Sequence, residues 1–287
     1  RIARKRTVTC WPPSNGNAPP PIHEEAQMSK SLNQGPARLA HRVAIVTGAA
    51  QGIGARYAQA LAAEGAAVVC ADVVDSQATV QAIQALGGQA FDVRVDVTST
   101  ESVRAMAEAA TQAYGRIDIL VNNAGIFTNL ALKPFDQIDS AEWDKVMHVN
   151  ITGVMLACRA VAPYMQQAKW GRIINISSAS ILMGRPDYMH YTTSKSALIG
   201  MTRSMARELG KDYITVNAVM PGATQTEIPR KTVSPQQREA IVARQCVPRS
   251  QVPQDLVGAV VFLATEGARF MTGQVMNVDG GSSHTGG

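Results

Sequence analysis

Cysteine is scarce in this chain, and none of the four residues stands near another. Cys10, Cys70, Cys158 and Cys246 form no C-x-x-C pair, which argues against a disulfide framework and a thiolate zinc site. Reduced thiols in a cytoplasmic compartment are the expectation, with Cys70 and Cys158 as small buried hydrophobes. No cluster of metal-ligand residues is visible either, so no metal is expected. Charged residues make up only 17% and hydrophobic ones 46%, a globular balance that excludes an extensively disordered chain. No apolar run reads as long enough to span a bilayer, so a soluble protein with no membrane partner is expected. The acidic and basic residues also leave little net field over most of the chain. Seven basic and two acidic side chains lie in residues 1–42, and residues 43–287 carry twenty of each. The net charge of +5 therefore belongs to the leader, and the neutral remainder offers no footprint for nucleic acid.

Residues 1–40 are rich in Pro, Asn, Ser and Gly, lack sustained periodicity and read as a disordered leader. The segment has no apolar centre of a secretory signal, and its prolines oppose the amphipathic helix of a transit peptide. Met28 is a candidate natural start, which leaves the nature of residues 1–27 open.

From residue 43 a rhythm begins. Runs rich in β-branched and apolar residues, "VAIVT" (43–47), "AVVCA" (67–71), "FDVRV" (91–95), "DILVN" (118–122), "GRIINIS" (171–177), "ITVNAV" (214–219) and "QVMNV" (274–278), alternate with longer segments of helical spacing. Near-continuous apolar strands alternating with helices predict a parallel sheet covered on both faces. The fold class is α/β: one doubly wound Rossmann-type domain over residues 41–287, with about seven parallel strands.

The first strand runs into "TGAAQGIG", Thr47 to Gly54. In a strand–turn–helix, Gly48 permits a tight turn, Gly52 lets backbone approach a pyrophosphate, and Gly54 lets the helix pack close. The helix start then presents free N–H groups to phosphate. Asp72 ends the second strand, where a carboxylate accepts hydrogen bonds from an adenosine ribose and repels a 2′-phosphate. Gln51 sits in the turn without the positive charge that an NADP site would want. NAD is the expected cofactor, with NADP the alternative.

The stretch "YMHYTTSK" (188–195) carries the chemistry. Tyr191 and Lys195 are i and i+4 on one helix, side by side on one face, while Tyr188 should point elsewhere. An ammonium about 4 Å from a phenol favours the phenolate by about 4 kcal/mol at an effective dielectric of ~20. That is enough to bring a group that titrates near 10 toward the range useful for acid–base work. The pair alone is a weak signal; following a nucleotide turn, it is a strong one.

Together, "TGAAQGIG", "NNAG" (122–125), "NISS" (175–178), "YTTSK" (191–195) and "PG" (221–222) resemble the short-chain dehydrogenase/reductase family in order and spacing, over about residues 41–287. The resemblance implies a tetrad in which Tyr191 is the general acid/base and Lys195 tunes it and holds the nicotinamide ribose. Ser178 would bind the substrate oxygen, in preference to Ser177 and Ser180, and Asn150 of "MHVNITG" would hold a water of the proton relay. It also implies cofactor contacts from Ile53 over the pyrophosphate, Asp96 and Val97 at the adenine, Asn123 along the adenosine ribose, and Thr224 and Thr226 after Pro221 and Gly222. A homotetramer, or otherwise a dimer, through the long helices starting near residues 141 and 191 is implied as well.

Residues 224–250 fall where the family places its substrate lid, with Ser234 and Pro235 read as N-cap and first residue of a short helix. Arg230, Lys231, Arg238, Arg244 and Arg249 read there as a solvated face, with the binding of an anionic substrate or carrier as the alternative. Ile181, Leu182 and Met183 are available to line an apolar pocket; His148 and His190 read as surface or core residues. The substrate expectation is a hydrophobic secondary alcohol/ketone pair, by resemblance to aryl-ethanol dehydrogenases; the chain is also similar to 3-oxoacyl-carrier-protein reductases and sugar dehydrogenases. The alternatives are an NADPH-dependent 3-oxoacyl-thioester reductase and a non-catalytic nucleotide-binding regulator.

Overall fold

The computed structural model describes residues 37–127, 130–228 and 235–284. The reading of residues 1–36 as disordered, and those of Arg230, Lys231 and Ser234, lie outside the described residues. The ordered body begins before residue 41: Leu39 is buried in the core, and its N–H donates to Glu64 O at 2.8 Å. Its apolar side chain belongs to the folded body and not to the leader.

Seven strands form where the apolar runs stand: β1 (Val43–Thr47), β2 (Ala67–Asp72), β3 (Ala90–Arg94), β4 (Ile119–Asn122), β5 (Gly171–Ile176), β6 (Ile214–Pro221) and β7 (Val275–Val278). All neighbours are parallel, in the order β3-β2-β1-β4-β5-β6-β7. The chain reverses its direction of travel between β1 and β4. Such a switch point opens a crevice at the carboxyl ends of the strands, where doubly wound sheets bind ligands.

The helices are α1 (Gly52–Ala63), α2 (Gln77–Gln84), α3 (Thr100–Tyr114), α4 (Ser140–Met147), α5 (Gly153–Ala168), α6 (Ser180–Met183), α7 (Met189–Leu209), α8 (Pro235–Val242) and α9 (Gln254–Ala264). Strand side chains alternate between faces, so the sheet feeds two cores. Ala44, Val46, Ile174 and Ile176 meet Tyr57 and Leu61 of α1 and Leu256 and Val260 of α9. Ile45, Ile173 and Val216 meet Met106 of α3, Val161 of α5 and Leu198 of α7 on the other face. Local signals start and stop these helices as expected: Ser99 Oγ accepts from Ser102 N before α3, and Gly115 ends it at φ 74°.

Between α4 and α5 lies a π-helical turn, His148–Thr152, and the three segments make a helical run from Ser140 to Ala168. By length and composition this run is long and apolar enough to cross a membrane, which corrects the expectation that no such segment exists. Its α5 part lays Val154, Ala157, Cys158, Val161 and Met165 into the second core, which is how a core helix packs. The buried amides of Asn122 and Asn175 tie the layers together: Asn122 Nδ2 donates to Asn175 Oδ1 at 2.9 Å, and Asn175 Nδ2 donates to Thr202 Oγ1 of α7 at 2.9 Å.

Candidate active site

The glycine turn is built as its spacing implies. Gly48 and Gly52 have φ of 69° and 63°, in the left-handed region that side chains disfavour. A Cβ on Gly54 would stand 2.0 Å from Gly48 O, so this position admits no side chain while the turn keeps its shape. The close partner is the turn itself and not only the sheet. Asn123 fastens that turn, its Nδ2 donating to Thr47 O and Gly48 O at 3.1 and 3.0 Å. Family resemblance places Asn123 along a ribose; the structure adds this positioning role. Gln51 is exposed at the N-terminus of α1, without a capping bond from its side chain. Ile53 lies beyond it, at the edge of the cleft described below.

Asp72 reaches back across the strand ends. Its Oδ2 accepts from Ala50 N at 3.0 Å and its Oδ1 from Val74 N at 3.2 Å. Among the described residues it makes no salt bridge. Asp96 follows β3, exposed, and its carboxylate is held below the usual range by the Thr98 hydroxyl and amide that it accepts from. Val97 packs against Gly153 at the head of α5, where a Cβ would come within 2.8 Å of Val97 Cγ2.

Tyr191 and Lys195 lie in the first two turns of α7, both nearly buried, with Lys195 Nζ 5.8 Å from the Tyr191 ring centroid. Burial holds the Lys195 pKa down to about 8, which leaves the ammonium charged at neutral pH. Its Nζ donates to Ile176 O at 2.9 Å. Tyr188 does not point away as expected. It sits at the N-terminus of α7 with its ring 4.7 Å from that of Tyr191, and its hydroxyl donates to Phe127 O at 2.9 Å. The helix face rule fails there because Tyr188 has left helical backbone geometry, with φ −142°.

The two adjacent serines part company. Ser177, Ser178 and Ser180 all line the cleft, but Ser177 is buried with its Oγ donating to Lys195 O at 2.8 Å, whereas Ser178 is half-buried with its Oγ accepting from Ser180 N at 3.2 Å. Asn150 stands in the π-helical turn, fully buried. Its Oδ1 accepts from Ile126 N at 2.8 Å, and its Nδ2 donates to Ile126 O at 3.2 Å and Ser194 Oγ at 3.0 Å. The side chain of Asn150 thus binds β4's outgoing loop to α7. His190 is buried with Nε2 3.2 Å from Glu142 Oε1, and His148 is exposed; neither enters the cleft.

A cleft of about 400 Å³ collects Ser178, Tyr191 and Lys195 with Ile53, Asn123, Pro221 and Gly222. Gly125 lines it too: a Cβ there would come within 3.1 Å of Asn150 Oδ1 and 3.3 Å of Lys195 Nζ. That missing side chain keeps open the floor where a ligand would meet the lysine. Met183, Phe127, Tyr188, Pro186 and Ile241 supply apolar wall. Of the three apolar residues predicted to line the pocket, Met183 does so; Leu182 is exposed and Ile181 half-buried, both outside the lining.

Thr224 and Thr226 border a smaller neighbouring cavity of about 140 Å³. Thr224 is buried and donates to Gln251 Oε1 at 2.9 Å, so its hydroxyl ties the segment after β6 to the one before α9. Thr226 Oγ1 accepts from Ile228 N at 3.3 Å. Beside them, Glu227 Oε1 accepts the Gly52 N–H at 2.7 Å, a contact that no pattern in the sequence announced. Arg249 is committed to Asp255 through two bonds of 2.7 and 2.6 Å. Pro235 begins α8 as predicted.

These residues fit a dinucleotide: a helix N-terminus at a glycine turn, a carboxylate beside it at the end of β2, and an open floor over Lys195. A family model described as enoyl-(acyl carrier protein) reductase matches residues 48–283. The chain belongs to the short-chain dehydrogenase/reductase family. It is 36% identical over 246 residues to a 3-oxoacyl-[acyl-carrier-protein] reductase of Thermotoga maritima, covering 85% of this chain and 98% of that protein. It is 38% identical over 244 residues to the cis-4-hydroxycyclohexanecarboxylate dehydrogenase of Sinomonas cyclohexanicum, covering 85% and 97%. Among solved structures, a 7α-hydroxysteroid dehydrogenase in complex with NADH and 7-oxoglycochenodeoxycholic acid superimposes with a TM-score of 0.81 at 34% identity, over 86% of this chain and 96% of the other. The short-chain dehydrogenase/reductase proteins are oxidoreductases that use a nicotinamide cofactor and act on CH–OH groups, and this chain is one of them.

Proposed function

We propose that this short-chain dehydrogenase/reductase oxidises a secondary alcohol, or reduces the matching ketone, with NAD(H), and that Tyr191 is its general acid/base. The observation that carries the reading is the shared cleft: phenol, ammonium and Ser178 hydroxyl converge under an apolar wall, next to the glycine turn. A bound nicotinamide supplies the hydride acceptor or donor. In the oxidative direction Tyr191 takes the hydroxyl proton of the alcohol at the substrate oxygen. The Ser178 hydroxyl donates a hydrogen bond to that oxygen as its charge develops. Lys195, charged at neutral pH, stabilises the phenolate that accepts the proton. Asn150 holds the Gly125–Ile126 loop against α7 and so fixes the floor on which the lysine acts.

Asp72 supports NAD over NADP. A 2′-phosphate placed at the end of β2 would meet this carboxylate, which no cation among the described residues pairs. The 3-oxoacyl-[acyl-carrier-protein] reductase relative supports the second reading, a thioester reductase, and Asp72 and the uncharged Gln51 weigh against its NADPH form. The helices α4, α5 and α7 are the proposed contact faces of a homotetramer or dimer.

The test is NADH and NADPH absorbance with a panel of secondary alcohols and ketones. Tyr191→Phe should lower kcat by about 10²- to 10⁴-fold with NADH binding retained. Asp72→Ser should raise the NADP/NAD ratio of kcat/KM at least about ten-fold, since it removes repulsion worth over ~1 kcal/mol. Turnover that survives in Tyr191→Phe would overturn the assignment of the base.

A further inference from the structure

The apolar cleft has a charged end. Arg185 lines both the main cleft and the smaller cavity beside it. It follows α6 in the loop that leads to Tyr188. Its guanidinium carbon lies 5.1 Å from the Tyr188 ring centroid, and that ring lies 4.7 Å from the ring of Tyr191. The guanidinium is therefore within the sum of these two distances of the reacting phenol's ring. Arg185 is half-buried, and among the described residues it has neither a salt bridge nor a hydrogen-bonded carboxylate.

The charges around it explain why it is left over. Arg249, on the lid, is already forked onto Asp255. Glu227 lines the smaller cavity with Arg185, but its Oε1 accepts the Gly52 N–H and no salt bridge joins the two among the described residues. Arg244 reaches the cleft from the segment after α8, exposed and also without a salt bridge among the described residues. Two guanidiniums thus border the substrate end of a cleft whose lining, among the described residues, contains no carboxylate. The Arg185 guanidinium lies within cation–π range of the Tyr188 ring, a contact that holds its charge at this end of the cleft.

Resting on the dehydrogenase reading above, we infer that the substrate carries a carboxylate several bonds from its carbinol or ketone carbon, and that Arg185 binds it as the specificity-determining residue. A planar fork matches two carboxylate oxygens, and the apolar wall between Arg185 and Tyr191 suits the carbon skeleton that separates the two ends. Arg244 supplies a second positive charge at the mouth. Nothing in the local sequence "GRPDYM" marks Arg185, which stands outside the arginine-rich lid.

The test uses a matched pair, 4-oxocyclohexanecarboxylate and its methyl ester, with the full chain and NADH. For Arg185→Gln, kcat/KM should fall about 10- to 100-fold for the acid, mostly through KM, and far less for the ester. Arg185→Lys, which keeps charge but loses the fork, should recover part of the loss. An equal loss on both compounds, or no loss on the acid, overturns the inference. Calorimetry in the Tyr191→Phe background with NADH present reads the same contact without turnover. There the acid should bind at least about ten-fold tighter to the single variant than to the double variant that adds Arg185→Gln. Charge-dependent binding without any turnover in the wild type would sink the dehydrogenase reading and leave the anion site standing. Turnover of the acid indifferent to Arg185 would do the reverse.

Discussion

Lys195 is a buried base whose burden changes with pH. Its folded pKa is lowered by burial to about 8, against about 10.4 in an unfolded chain. Below pH 8 the lysine is charged in both states, and the folded chain carries the full cost of burying that charge. Between these values the unfolded chain binds more protons, so stability rises with pH; above about 10.4 both states are neutral and the cost is gone. Lys195→Met removes this titration. The unfolding free energy of the cofactor-free wild type, minus that of the variant, should therefore rise by about 2 kcal/mol from pH 7 to 10. Urea titrations at the two pH values measure it, and a flat difference would mean that the ammonium is not desolvated. The same burial suits the chemistry, since among the described residues this cation beside Tyr191 has no carboxylate partner to neutralise it.

Asn150 shows what an element can do that a residue type cannot. A regular α-helix from Ser140 to Ala168 would run through this point with every side chain about 100° from the last. The π-helical turn at His148–Thr152 breaks that phase and aims Asn150 inward, onto both backbone groups of Ile126 and the hydroxyl of Ser194. Read from residues alone, Asn150 is a polar residue in an apolar helix; only family resemblance singled it out, because a π-helical turn has no reliable sequence signature. Asn150→Ala would strand the part-buried N–H and C=O of Ile126 and remove the amide from the buried Ser194 hydroxyl. A cost of about 3 kcal/mol follows, lowering Tm by roughly 6–12 °C for a body of this size. A Tm for Asn150→Ala within about 2 °C of the wild type would mean that the amide does not hold this loop.

Across the whole molecule, what was legible followed short-range physics. Strands appeared where β-branched runs met turn residues, and the sheet stood parallel because helices separated them. The glycine turn, Asp72 and the Tyr191–Lys195 pair lie at strand or helix ends that local spacing locates. Contacts between distant segments were not legible: Tyr188 on Phe127, Arg185 at the cleft, and Glu227 on the glycine turn. The last of these joins residues 175 positions apart and has a consequence for binding. Glu227 brings its negative charge to the N-terminus of α1, where its carboxylate accepts the Gly52 N–H at 2.7 Å and is itself held below the usual carboxylate range, chiefly by backbone N–H groups. Ile228 covers the same glycine, its Cδ1 only 2.8 Å from where a Cβ would stand. An anionic pyrophosphate arriving at this turn would meet a site already serving a carboxylate, so the segment after β6 and a dinucleotide bound there would compete for one N–H and one helix dipole. Glu227→Ala frees both. NADH should then bind about 3- to 30-fold more tightly by calorimetry, with the gain shrinking as salt is raised. Weaker NADH binding in the variant would mean instead that Glu227 supports the turn in the shape the cofactor needs.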